Sequence, residues 1–339
     1  MSLEYINKIE KKFLPHLFFN KEKKARHVGV EIEYSNLSLE KSIELARELF
    51  GGEIKKTSKY EWQLTQSKYG TFNFELDAQL LQKIQKEGLF EKLQHYIGDV
   101  SHDIDTLLDK TSKRFVPFEV ATPPVPISNL FEIDKLAESF CLHGAFGTTH
   151  SLHYAFGVHF NIEPASLESI DVLKTFKAFL ILQKWIEVQS EVDIARKISP
   201  YINDFPKEYL KKVIDKAYKP NQEQFIEEYI AFNPTRNRIL DMLPLMTFWD
   251  EKRVRQHLPK EKINARPTFH YRLANSKVNI LRWSLTQEFL PWVMVELLVA
   301  NPKKFEIMSE EFLTYLEAPI FNTHEWIEQC HFHILDLLS

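Results

Sequence analysis

His27-Val28-Gly29-Val30-Glu31-Ile32-Glu33-Tyr34 alternates apolar with polar or small residues. In a strand of period two, Glu31 and Glu33 share one face while Val30, Ile32 and Tyr34 take the other. Same-side neighbours on a strand stand roughly 7 Å apart, so that face presents two carboxylates that need water or cations. It is either a solvated strand face or the start of a cation-holding one, and the later strands decide which.

Outward from this strand, Ser38 to Phe50 reads as a helix, with Ser38 as N-cap and Gly51-Gly52 as the stop. Glu53–Lys56, Glu61–Gln66 and Thr71–Leu76 read as an antiparallel meander that turns at Tyr69-Gly70 and runs into Asp77. Phe115–Val120 is strand-like, carries Glu119 near its end and is stopped by Thr122-Pro123-Pro124. Ala155–Ile162 places His159 and Asn161 on one face, with Gly157 leaving room there. Thr268–Leu273 does the same for His270 and Arg272. Helical spacing marks residues 3–20, 78–109, 130–143, 167–191, 207–218, 222–232 and 283–300. This order predicts an α+β fold: a mainly antiparallel sheet with flanking helices and a helical C-terminal half. No repeat or low-complexity linker divides the chain.

Composition bounds the function. The 339 residues are 44% hydrophobic and 27% charged, an ordinary globular balance with room for a large core. With 26 Phe, 12 Tyr and 6 Trp against 9 Gly, bulky rings fill the interior and few glycines remain for phosphate turns. A net charge of −4 argues against a nucleic-acid surface, since such binding scales with neutralised phosphates. Two cysteines, Cys141 and Cys330, make neither a disulfide framework nor a zinc ribbon. No signal-like or membrane-spanning apolar run occurs, so a cytoplasmic protein is expected.

Taken together, the strand faces offer Glu31, Glu33, Glu119, His159, Asn161, His270 and Arg272. Acids with occasional His or Asn suit a hard ion such as Mg²⁺ or Mn²⁺ better than zinc, and an inward-facing arginine suits a phosphoryl group. Walker and dinucleotide glycine motifs are absent, as are HExxH and GxSxG. Each residue also has a purely structural reading: Glu119 as partner of a nearby lysine, His159 as a core histidine, Arg272 as an ion-pair residue. Arg196, Arg236, Arg238 and Arg266 read either as pocket residues or as surface ion pairs.

The order G-V-E-I-E-Y, then Trp62 and the strands reaching Leu76-Asp77-Ala78, then F-E-V-A-T-P-P, G-V-H-F-N-I and F-H-Y-R-L, resembles the amidoligase family. That family is similar to the glutamate–cysteine ligases and glutamine synthetase, together the carboxylate–amine ligases. The resemblance implies a glutamine-synthetase-like curved sheet that holds ATP and Mg²⁺ or Mn²⁺. It implies one amidoligase-like catalytic domain over 1–339, with core strands within 26–275 and helical additions at 167–265 and 283–339. Glu31, Glu33, Glu119, His159 and His270 stand at its metal positions; His159, Asn161 and Arg272 are its nucleotide-side candidates, and Arg266 joins them as a basic residue able to line that pocket. Arg272 matches the phosphate-contacting arginine, and His270 replaces an acid. By position, Asp77 or Glu75 is expected to deprotonate the amine. The expected reaction joins a small-molecule or peptide carboxylate to an amine through an acyl phosphate. The alternatives are a metal-dependent hydrolase on the same acidic sheet and a catalytically lapsed nucleotide- or peptide-binding protein.

Overall fold

The computed structural model describes residues 17–77, 117–148, 156–190, 203–319 and 322–338. The helix expected over 78–109, the start of the 3–20 helix and Arg196 lie outside the described residues. The described elements are β1 (His27–Tyr34), α1 (Leu39–Phe50), β2 (Glu53–Lys56), β3 (Glu61–Ser67), β4 (Gly70–Leu76), β5 (Phe118–Ala121), β6 (Val125–Pro126), α2 (Leu130–Leu142), β7 (Gly157–Ile162), α3 (Ser169–Gln189), α4 (Lys207–Ile214), α5 (Gln222–Phe232), β8 (Leu240–Asp241), α6 (Leu243–Trp249), α7 (Glu251–His257), β9 (Phe269–Asn275), α8 (Leu285–Ala300), α9 (Pro302–Glu317) and α10 (Thr323–Leu338).

The strands form one sheet in the order β2-β3-β4-β5-β1-β7-β9-β8, with β6 paired to β1 off that path. Every named pair is antiparallel. The fold is therefore mixed α and β around an open antiparallel sheet, with helices dominating the C-terminal half, as the alternation predicts. Two strands escape the sequence pattern. β6 and β8 are two residues long, too short for any periodicity, and β8 lies inside the stretch read as helical. The helix expected over 207–218 ends at Ile214, where Asp215 turns extended.

β1 is central because both of its edges are occupied. Val28, Val30, Ile32 and Tyr34 are buried to 1% exposure or less. They form one apolar face with Phe72 and Phe74 of β4, Val120 of β5, Phe160 of β7 and Tyr271 of β9. Helices cover that face: Phe140 of α2 meets Tyr34, Phe50 of α1 stacks on Phe72, and Phe289 of α8 meets Phe160. Phe179 of α3 and Trp292 of α8 both pack on Tyr271. Each fully buried ring or branched side chain contributes about 1.5–3 kcal/mol, and this fixes the register. A one-residue slip of β1 would bring Glu31 and Glu33 into the apolar layer.

Local chemistry places the ends. Ser38 caps α1 by accepting the Lys41 N–H at 3.2 Å. Gly52 sits at φ +101°, and a Cβ there would come within 2.5 Å of the Thr65 carbonyl. Where Pro123 and Pro124 end β5, the Thr122 hydroxyl takes the Val30 N–H at 2.9 Å, so the central strand keeps its bond. The β7–β9 ladder shifts register between Val158 and Phe160, beside His159. Such bulges re-aim side chains next to functional sites.

Candidate functional site

The sheet face opposite the apolar layer collects the predicted residues. Register sets His159 on one side of Glu31 and Ala121 on the other, Glu119 opposite Glu33, and His270 opposite Asn161. Both acids of β1 have side chains only 12% exposed, which removes the solvated-face reading. Two groups of ligand-type atoms result, each with its atoms within 4.8 Å of one another: Glu31–His159–His270 and Glu33–Asp77–Glu119. β1 supplies one acid to each.

Glu31 is enclosed by donors. His159 Nδ1 donates to its Oε2 at 2.9 Å; Asn161 Nδ2 and Arg266 Nη1 donate to its Oε1 at 2.9 and 3.2 Å. His270 Nε2 stands 3.5 Å from Oε2. Burial opposes its charge, but His270, His159 and Arg266 prevail and hold the carboxyl well below the usual carboxylate range. His270, at 3% exposure, is driven well below the usual imidazole range by burial and then by Arg272, His159 and Arg266, against the pull of Glu31.

The second group has the opposite balance. Glu33 accepts the Gly157 N–H at 2.6 Å and lies 3.8 Å from His159 Nε2. Glu119 has no ion-pair partner among the described residues. Burial and then Glu31, Glu33, Asp77 and Glu75 push its carboxyl well above the usual range. The acids continue outward in register, Glu75 opposite Glu119 and Glu61 opposite Glu75. Like charges at directly opposed positions destabilise a sheet.

Both groups fit cations, in different ways. Three carboxylates suit Mg²⁺ or Mn²⁺; one carboxylate with two imidazoles suits Mn²⁺ or a softer ion. The buried polar atoms agree: both ring nitrogens of His270 and Asn161 Oδ1 find no hydrogen-bond partner among the described residues, and such atoms are costly until a ligand meets them.

Arg272 faces this side of β9 and donates from Nη1 to the Arg236 carbonyl at 2.9 Å. Arg266, an alternative surface residue in the sequence, is instead the counterion of Glu31. Arg238 belongs to the interior, bonded to Asn233 and lying over Phe205. Sequence reasoning missed Asp241, which is fully buried and stands opposite His270. Its only sequence signal is a lone acid between Leu240 and Met242.

The family model described as "Putative amidoligase enzyme" matches residues 24–294, a span that holds every site residue described above. The chain belongs to the amidoligase family. No curated protein and no solved structure matches it. Among the described residues of this amidoligase, no helix is long and apolar enough to cross a membrane.

Proposed function

We infer that this amidoligase is an ATP-dependent ligase that joins a carboxylate to an amine through an acyl phosphate. One observation carries the reading: two groups of metal-type ligands sit side by side on one sheet face, flanked by arginines at the β9 end and carboxylates at the β4 end. That polarity matches a reaction with a polyanionic donor and a cationic acceptor.

Glu33, Asp77 and Glu119 are the residues that would hold Mg²⁺ or Mn²⁺, with Glu31, His159 and His270 as a second set. Bound there, the cations would neutralise phosphate charge as it develops. Arg272, with Arg266, Asn161 and His159 on the nucleotide side, orients the phosphoryl group. A carboxylate oxygen of the acid attacks the γ-phosphorus and the bond to ADP breaks, with Arg272 stabilising the transferred group. The amine nitrogen then attacks the acyl carbon, and phosphate leaves. An ammonium must first lose a proton, and Glu75, opposite Glu119 in the ladder and outside both ligand groups, takes that role while Asp77 serves the cation. The acid and amine are small molecules or peptide groups.

The test is ADP and phosphate release with Mg²⁺ or Mn²⁺, ATP and panels of acids and amines. Release that requires both an acid and an amine is the expected result. Metal-dependent amide or phosphoester cleavage without ATP would favour a hydrolase. Absence of calorimetric nucleotide binding at any metal concentration would leave a lapsed member of the family.

A further inference from the structure

The two oxygens of Glu31 face different kinds of partner. Oε1 accepts Asn161 Nδ2 at 2.9 Å and Arg266 Nη1 at 3.2 Å, which pins the carboxylate. Oε2 meets imidazoles, His159 Nδ1 at 2.9 Å and His270 Nε2 at 3.5 Å. Bonds of about 2.0–2.2 Å from nitrogen or oxygen to a divalent ion separate neighbouring ligand atoms by roughly 3.0–3.5 Å. The spacings at Oε2 are therefore those of the edges of a coordination shell. The two rings stand 5.2 Å apart and are tilted by 58°, so they do not stack on each other.

His270 supplies a second, independent observation. It is 3% exposed, and neither of its ring nitrogens has a hydrogen-bond partner among the described residues. A histidine retained for packing would bond its neighbours, because buried polar atoms are costly when nothing meets them. Asn161 Oδ1, on the next strand, is left in the same state. His159 Nε2 faces Glu33 Oε1 at 3.8 Å, a carboxylate placed to keep the ring proton there and leave Nδ1 to an ion. Donor chemistry then separates the two ligand groups. Glu33, Asp77 and Glu119 offer three carboxylates, the oxygen set of a hard ion such as Mg²⁺. Glu31, His159 and His270 offer one carboxylate and two imidazoles, a donor set that suits Fe²⁺, Co²⁺ or Zn²⁺ better.

We propose that Glu31, His159 and His270 form a site for a borderline transition-metal ion, of the class of Zn²⁺ or Fe²⁺, beside a separate Mg²⁺ site at the three carboxylates. The inference rests on the two-cation reading of this face given above, and it names the kind of ion that each half takes. His270 is the residue that decides. An acid at its position would leave two carboxylates and one imidazole, a harder set, and the second imidazole turns the preference toward a softer ion. Asn161 and Arg266 are positioning residues that hold Oε1 and so keep Oε2 between the two rings.

The experiment strips the full chain with a chelator and titrates it with Co²⁺, a coloured stand-in for Zn²⁺ and Fe²⁺, and separately with Mg²⁺. Calorimetry and the visible spectrum follow binding in the wild type, His270→Gln and Glu119→Gln. The wild type should bind Co²⁺ more tightly than Mg²⁺, with the ligand-field bands of nitrogen coordination. His270→Gln should lose at least about tenfold in Co²⁺ affinity, together with those bands, and keep its Mg²⁺ affinity. Glu119→Gln should show the converse, weakened Mg²⁺ binding with the Co²⁺ spectrum retained. Co²⁺ binding indifferent to His270→Gln would overturn the proposal, as would a wild type that binds Co²⁺ no more tightly than Mg²⁺. So would Co²⁺ and Mg²⁺ affinities that fall together in both variants. If His270→Gln does not fold, competition in the wild type decides alone: Co²⁺ retained under excess Mg²⁺ supports the site, and Co²⁺ displaced by it removes the site. The ligase reading fails separately. Selective Co²⁺ binding in a chain that never releases ADP keeps this proposal and removes that one, whereas ADP release in a chain whose Co²⁺ binding ignores His270 does the reverse.

Discussion

Glu33 of β1 and Glu119 of β5 are direct cross-strand partners, so two largely buried carboxylates share one position of the antiparallel ladder. Packing does not explain this arrangement, because opposed like charges destabilise a sheet. Glu119→Gln is therefore expected to raise the stability of the metal-free protein by about 0.2–1 kcal/mol and to abolish the rise in Tm that Mn²⁺ or Mg²⁺ produces. Differential scanning fluorimetry with and without the metal checks both. A variant that keeps the full metal-dependent shift would exclude Glu119 as a ligand.

Glu31 has two duties. As a carboxylate facing cations it is expected from the sequence to affect metal-supported nucleotide binding far more than folding. The structure changes that expectation, because Glu31 accepts from His159, Asn161 and Arg266. In Glu31→Gln one acceptor oxygen becomes a donor facing His159, and Arg266 loses its counterion. Since Arg266 is 33% exposed, screening reduces the loss to about 1–3 kcal/mol. Urea unfolding should show this loss and calorimetry a parallel loss of metal-supported nucleotide binding. An unchanged unfolding midpoint would mean that the donors around Glu31 contribute nothing to folding.

His270 is the departure from the family pattern that the sequence already exposes. In His270→Glu a carboxylate would replace an imidazole now 3.5 Å from Glu31 and opposite Asp241. Stability without metal should fall, and Mn²⁺ affinity should rise at least several-fold. Reduced affinity in a folded variant would identify the imidazole itself as the ligand. Metal titration followed by fluorescence or calorimetry separates the two outcomes.

The alternation from Val28 to Tyr34 was sufficient to read the central strand and the placement of its two acids, because period-two burial leaves a direct trace in sequence. The faces of β5, β7 and β9 were legible for the same reason. What could not be read was pairing. Nothing in the sequence states that Glu119 faces Glu33, or that Glu31 rather than solvent takes Arg266, since register is a tertiary property. Asp241 was hidden for a different reason: two residues of strand carry no period, and its partners Arg236 and Arg272 are brought to it by the edge of the sheet. The helices of the C-terminal half were easier to foresee than the contacts by which α3 and α8 cover Tyr271.

Arg26 and Glu296 form the buried pair that joins the start of β1 to α8. Arg26 is 0% exposed; its Nη2 lies 2.7 Å from Glu296 Oε1, which also accepts Trp292 Nε1 at 3.1 Å. Removing one partner of such a pair strands the other charge, so Glu296→Gln should cost about 3–5 kcal/mol. Because the pair lies outside the polar face, metal and nucleotide affinity of the folded fraction should not change. Denaturant unfolding beside calorimetry checks this, and a change in affinity without a change in stability would contradict a purely structural role.

Lys177 on α3 supplies a pH dependence separate from the site. Its Nζ donates to the Asp215 and Tyr218 carbonyls at 3.2 and 3.4 Å. Burial pushes its ammonium down to about 8, against the pull of Asp215 and with help from Lys219. In the unfolded chain a lysine titrates near ~10.4. Between these values the unfolded state binds more protons than the folded one, so this residue makes stability rise with pH. Lys177→Met removes the titration and leaves the other groups in place. The stability of wild type minus that of the variant should be flat below about pH 8, climb between about 8 and 10.4, and level off above that window. Urea midpoints for both proteins at intervals across this range measure the difference directly. A difference that stays constant throughout would mean that the ammonium keeps its ordinary proton affinity, and that the two carbonyls compensate fully for its burial.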